Sequence, residues 1–156
     1  MAGDDSTARY SLDLVGAERE PIVTIDDFSG QIEALVRLGR QAGYEAVQGY
    51  PGIRSPMDPA YLAPRSLLLR RIFGECFGLF GKAELESCDF SIVSLPPDEL
   101  TPGQRIPHHD SPEAGLIALL HFTGAAETGG TAFYRHRRTG YEAILPKRAS
   151  AYPAAV

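Results

Sequence analysis

Apolar residues alternate with polar ones at Tyr10, Leu12 and Leu14, the period-two pattern of a strand with one covered face. The β-branched run Ile22-Val23-Thr24-Ile25 predicts a second strand. The period then changes. Asp26-Asp27-Phe28-Ser29 offers N-cap residues, Ile32, Leu35 and Val36 follow at helical spacing, and Gly43 stands where a helix would stop. The spacing predicts an amphipathic helix over Ser29 to Ala42, its apolar stripe a packing surface. Gly39 falls where the stripe should continue, and an interior glycine costs about 1 kcal/mol against alanine. Leu38 and Ala42 flank it and can still pack.

Gly49 to Asp58 holds three breakers, Pro51, Gly52 and Pro56, and reads as a loop. Asp58-Pro59 has the form of a helix start, a capping carboxylate followed by a first-turn proline. Pro64 interrupts, so that helix either kinks or restarts there. Leu69, Ile72, Phe73, Cys76 and Phe77 share one helical face, and Gly78 closes it. Arg65, Arg70 and Arg71 make the polar side, read as a solvated face before an anion site.

Strand character returns over Glu84 to Val93, with a change of phase near Ser87-Cys88 that marks a bulge or a break. Pro96-Pro97 ends it, and a Pro/Gly loop runs from Asp98 to Pro107. Leu116 to Phe122 is apolar on both parities, the pattern of a strand buried on both faces. A turn over Thr123 to Thr128 precedes Gly129-Gly130 and a strand at Thr131-Ala132-Phe133-Tyr134. Arg135 to Gly140 reads as a basic turn and Tyr141 to Ile144 as a return strand. The alanine-rich stretch from Pro146 can open a helix. Residues 1–8 read as a disordered lead and 9–156 as a single domain without internal repeats. Helices early and strands late predict an α+β fold, a sheet-rich core flanked by two N-terminal helices.

Composition narrows the functional classes. The chain of 156 residues is 44% hydrophobic and carries a net charge of −5, which argues against a nucleic-acid or anionic-membrane partner. Its only cysteines, Cys76 and Cys88, have no metal-type spacing and fit small buried residues in a reducing compartment. No apolar run has transmembrane length, and the polar start MAGDDSTARY lacks a signal-peptide core, so a cytoplasmic location is expected. There is no glycine-rich phosphate loop and no Gly-x-Ser-x-Gly elbow.

The chemistry concentrates at Arg105-Ile106-Pro107-His108-His109-Asp110-Ser111. His108 and Asp110 lie two apart, so in extended chain they project from one face and an imidazole and a carboxylate can meet at one point. That is two-thirds of the two-histidine, one-carboxylate set that holds non-haem Fe(II). The bland reading is a turn with a solvated aspartate. His109 projects to the opposite face.

His108-x-Asp110, the apolar run Leu116 to Phe122, and Gly129-Gly130-Thr131-Ala132-Phe133-Tyr134 together resemble the core of the Fe(II)/2-oxoglutarate-dependent dioxygenases, prolyl-hydroxylase-like branch. The likeness is closer to uncharacterised bacterial proteins of that kind, with Gln104-Arg105-Ile106-Pro107-His108, Tyr50-Pro51-Gly52, Phe90-Ser91-Ile92-Val93 and Arg135-His136-Arg137 also fitting. It covers roughly residues 22 to 156. The resemblance implies a double-stranded β-helix, or jelly roll, with His108 and Asp110 as metal ligands facing into the barrel. It implies Fe(II) and 2-oxoglutarate as cofactors, and hydroxylation of a substrate, small molecule or peptide, that the sequence does not specify. Thr131 and Tyr134 either line the cosubstrate pocket or belong to an ordinary strand with aromatic packing.

The chain departs from that pattern in one respect. The family uses a second histidine well after the carboxylate, and beyond it an Arg or Lys for the distal carboxylate of 2-oxoglutarate. After Asp110 the histidines are His121 and His136, neither in that context. His121 reads as a hydrogen-bonded core or edge histidine, and His136 sits in a cationic turn that disfavours metal. The expectation is a fragment or natural short form with an incomplete jelly roll, uncovered strand edges prone to self-association, and no turnover by itself. Two alternatives stand beside it. One is a non-catalytic jelly-roll binding or interaction module. The other is a metal-free domain in which His108 and Asp110 hydrogen-bond each other.

Overall fold

A computed structural model describes residues 9–81, 83–108, 117–122 and 130–143. Strands β1 (Tyr10–Val15) and β2 (Glu20–Ile25) form an antiparallel hairpin in the register Tyr10↔Ile25 to Val15↔Glu20. Gly16 and Arg19, both at positive φ, turn the chain between them. Leu12 and Leu14 remain exposed, so the alternation predicts the strand but not a covered face.

Helix α1 spans Ile32–Gln41, three residues later than its N-cap candidates suggest. Asp27 and Gly30 both adopt left-handed backbone, which interrupts any helix entering from that side. Ser29 Oγ instead accepts the Gln31 N–H at 3.1 Å, ahead of the first turn. The helix ends in an extended Ala42, and Gly43 follows without the left-handed geometry of a glycine stop. Gly39 packs beside Phe90: a Cβ there would stand 3.4 Å from the Phe90 ring, ordinary van der Waals contact.

The expected loop over Gly49 to Asp58 contains a strand. β3 (Glu45–Ala46), β4 (Gly52–Pro56) and β5 (Asp89–Val93) form an antiparallel sheet with β4 in the middle. The breakers bracket β4 rather than exclude it. Gly52 begins the strand, Pro56 ends it, and Ile53 and Arg54 between them pair on both sides. β5 is shorter than predicted because the phase change near Cys88 is a break, and pairing begins at Asp89.

Asp58-Pro59 does start a helix. Asp58 Oδ1 accepts the Ala60 N–H at 2.9 Å, and a 3-10 helix runs over Pro59–Arg65. Pro64 marks a restart: α2 follows immediately at Ser66–Phe77. Left-handed Gly78 closes it, donating to the Gly74 carbonyl at 3.1 Å. Among the described residues the core is Phe28, Leu35, Leu68 and Ile72. Thus α2 buries the face through Leu68 and Ile72, while Leu69, Phe73, Cys76 and Phe77 are only half-covered. α2 also meets the first hairpin, where Tyr10 donates to Glu75 at 3.2 Å and the Arg71 guanidinium lies over the Tyr10 ring.

Among the described residues the fold is therefore mixed α+β, with two α-helices and small antiparallel sheets of two and three strands. The helices alternate with strands instead of preceding them. Residues 117–122 enter no ladder, and Leu119, Leu120 and Phe122 are exposed, unlike a strand buried on both faces. Residues 131–134 and 141–143 likewise join no described sheet. The predicted lead over 1–8, the turn over 123–128 and the stretch from Pro146 lie outside the described residues.

Candidate functional site

His108 ends a loop that is strapped to the start of β4. The Ser94 and Leu95 N–H groups both donate to the Pro51 carbonyl, at 3.1 and 3.2 Å. Further on, Thr101 and Gln104 exchange bonds: the Thr101 N–H donates to Gln104 Oε1 at 2.9 Å, and the Gln104 N–H to Thr101 Oγ1 at 3.4 Å. This is the reciprocal capping box, readable as Thr-x-x-Gln but missed among the loop's prolines. It nucleates a 3-10 turn over Gly103–Arg105. Gln104 Nε2 then reaches the Gly49 carbonyl at 3.4 Å, and Arg105 donates to the Asp98 carbonyl at 3.1 Å. The Tyr50-Pro51-Gly52 turn and the Gln104-to-His108 segment, two separate parts of the motif pattern, are thereby neighbours.

At the end of this loop His108 is exposed, with Nδ1 3.0 Å from the Ile106 carbonyl oxygen. A carbonyl only accepts, so Nδ1 is the donor in this contact. A backbone carbonyl holding the far nitrogen is the arrangement that orients metal-ligating imidazoles. Asp110 and His109 lie outside the described residues. Among the described residues, no three His, Cys, Asp or Glu side chains converge as a metal site.

The other sequence candidates separate. Thr131 is exposed and Tyr134 is 63% exposed, so both stand at the surface. His121 is built into an aromatic cluster. Its ring stacks on Tyr61 at 6.4 Å and meets Phe28 edge-on at 6.1 Å, and burial pushes its pKa down. His136 serves the basic turn, where Nδ1 accepts the Thr139 N–H at 3.3 Å. That turn closes through His136 N–H to the Tyr141 carbonyl and Gly140 N–H to the His136 carbonyl, each 2.8 Å. Cys76 and Cys88 are free and half-buried, and burial, followed by Asp89 and Asp58, pushes the Cys88 thiol up.

One constellation has no sequence signal. Glu142 accepts the Glu18 N–H at 2.8 Å, while a Glu18 carboxylate oxygen accepts the Glu142 and Ala143 N–H groups, both at 2.9 Å. Arg135 adds a bond to Glu142 at 2.7 Å. The Glu18 N–H first, and Arg135 after it, hold the Glu142 carboxyl below the ordinary carboxylate range. This exchange fastens the basic turn onto the β1–β2 connection, across 124 positions of sequence. Gly16 is part of it, since any side chain there would run into the Glu142 carboxylate.

Beside the motif loop, the Arg54 guanidinium lies 4.1 Å above the Tyr50 ring, and its buried Nε has no partner among the described residues. No described helix is long and apolar enough to cross a membrane. No curated protein and no solved structure matches the chain. A family model does, over residues 6–156, and the chain accordingly belongs to that family of unknown function, DUF6445.

Proposed function

We propose that this chain is an oxygenase-like protein carrying the His108 and Asp110 arm of a non-haem Fe(II), 2-oxoglutarate site on a jelly-roll core. The observation that carries the reading is His108-x-Asp110 followed by Gly129-Gly130-Thr131-Ala132-Phe133-Tyr134. The contact between His108 Nδ1 and the Ile106 carbonyl supports it, because it orients the ring at the end of the motif loop. Fe(II) with bound 2-oxoglutarate would supply oxidising chemistry at open coordination positions. The chain's own part is positioning: Gln104 and Arg105 hold the loop, and Ile106 sets the ring. Thr131 and Tyr134 are the hydroxyl groups assigned to the cosubstrate. The substrate is a small molecule or a peptide, and the compartment the reducing cytoplasm. Neither nucleic acid nor membrane is a partner in this reading, and the outer edges of the small sheets favour self-association.

His121 and His136 are both occupied in packing and turn formation, so neither completes the ligand set. This chain is therefore expected to bind Fe(II) weakly through two donors and to release no succinate above a His108→Ala control. The same observation favours a second reading, a non-catalytic binding module. Anaerobic Fe(II) titration of the wild type and of Asp110→Ala tests the proposal. Weaker binding by the variant is expected, and equal binding removes the metal claim and leaves the module.

A further inference from the structure

A cleft of about 530 Å³ opens between the C-terminal end of α1, the β4–β5 pair and the start of the 3-10 helix. Its volume is in the range of small-molecule sites, ~300–1,000 Å³. Leu35, Leu38, Met57, Tyr61 and Phe90 supply apolar walls. Three independent features give this space a negative character. Gln41, Ala42 and Gly43 line it, and they are the carboxyl end of α1, where unpaired carbonyls carry partial negative charge. Asp58 is the one charged group among its described lining residues, and the bond from Ala60 uses only part of its acceptor capacity. Tyr61 and Phe90 add aromatic rings to the lining, one face of Tyr61 being stacked on His121, and aromatic rings attract cations.

Nothing on the helix neutralises this field from within the cleft. Arg40, the basic residue of the last turn, lines a separate groove with Ile32, Glu33, Val36 and Arg37. Burial first, and then Asp89 and Asp58, raises the pKa of the Cys88 thiol.

From the carbonyl end of α1, the Asp58 carboxylate and the Tyr61 and Phe90 rings around one apolar cleft, we infer that it binds a small organic ammonium ion with a short aliphatic body. The cation sits by Asp58 and the end of α1, and the alkyl chain lies along Leu35, Leu38 and Met57. This site uses no residue of the His108 loop, so it stands whether or not that loop binds metal.

Amide NMR titration of the full chain with n-butylammonium, butan-1-ol and butanoate, at fixed ionic strength, tests it. Butylammonium is expected to move the Gly43, Met57, Asp58 and Tyr61 amides and to bind tightest, with butanoate weakest. Asp58→Asn keeps a capping oxygen, so the 3-10 helix is retained. It is expected to weaken butylammonium about threefold or more while leaving butan-1-ol unchanged. Leu38→Gln, at an exposed lining position, should weaken both. Equal binding of butanoate and butylammonium, an Asp58→Asn titration identical to wild type, or shifts confined to other carboxylates would overturn the assignment.

Discussion

Gly52→Ala isolates one steric contact. Gly52 is buried at the start of β4, opposite Val93, and its φ is not in the left-handed region, so alanine meets no conformational penalty there. The added Cβ would instead collide with the Ile92 carbonyl oxygen and stand 2.9 Å from the Ser94 nitrogen. Both are backbone atoms, which cannot swing aside. Relief requires the ends of β4 and β5 to separate, straining packing by about 1–3 kcal/mol. The separation also breaks the two bonds that Ser94 and Leu95 make to Pro51, each worth about 1 kcal/mol. The expected loss is about 3–5 kcal/mol, a large share of the ~5–15 kcal/mol that holds a domain folded. With a urea dependence of about 1–3 kcal/mol/M, the unfolding midpoint should fall by more than about 1 M. Gly43→Ala is the control. Nothing stands within 4 Å of its Cβ and its φ is ordinary, so it should be neutral or stabilise by about 0.4–1 kcal/mol. Urea melts of the two variants that coincide would refute the steric argument. Because Pro51 also anchors the loop to His108, Gly52→Ala should shift the amide signals of residues 104–108, and Gly43→Ala should not.

Leu68 is 2% exposed in the core, and Leu68→Ala should cost about 2–5 kcal/mol in chemical denaturation; a loss below 1 kcal/mol by the same measurement would place the core elsewhere. The Glu142 carboxyl is depressed by the Glu18 N–H and by Arg135, so its stabilisation is present above the ordinary glutamate value and lost as pH falls through its lowered pKa. Wild type should melt above Glu142→Gln at pH 7 and converge on it in acid, and a pH-independent gap would contradict the exchange. His121 is depressed by burial and is preferred neutral, so its contribution is full above the ordinary imidazole pKa and declines as pH falls below it. His121→Phe should flatten the fall in melting temperature between pH 7.5 and 5.5; an unchanged slope would mean the ring is not buried in solution.

Local punctuation was legible where its physical cause is local. Asp58-Pro59 starts a helix because a carboxylate and a proline satisfy the first turn whatever surrounds them. Gly78 ends α2 because it alone there takes left-handed backbone without cost. The basic turn over 135–140 forms where its residues placed it. Of the candidate site, the proximity of His108 and Asp110 in sequence was plain, and so was the Gly-Gly-Thr-Ala-Phe-Tyr run, but not the exposure of residues 130–134. The carbonyl that orients His108 was not, since a bond to Ile106 depends on how the loop folds back after Gln104.

The chain alone therefore determines an α+β domain with its helices and several turns, because caps, breakers and periodicity act over a few residues. Only the tertiary structure decides that Gly52 to Pro56 is a central strand, since a glycine and two prolines read as loop until Ile92 is seen pressed against Gly52. It likewise decides that His121 stacks on Tyr61 and that Glu18 and Glu142 trade backbone bonds. These contacts join positions tens to more than a hundred residues apart, and no local pattern encodes which distant partner a side chain will meet.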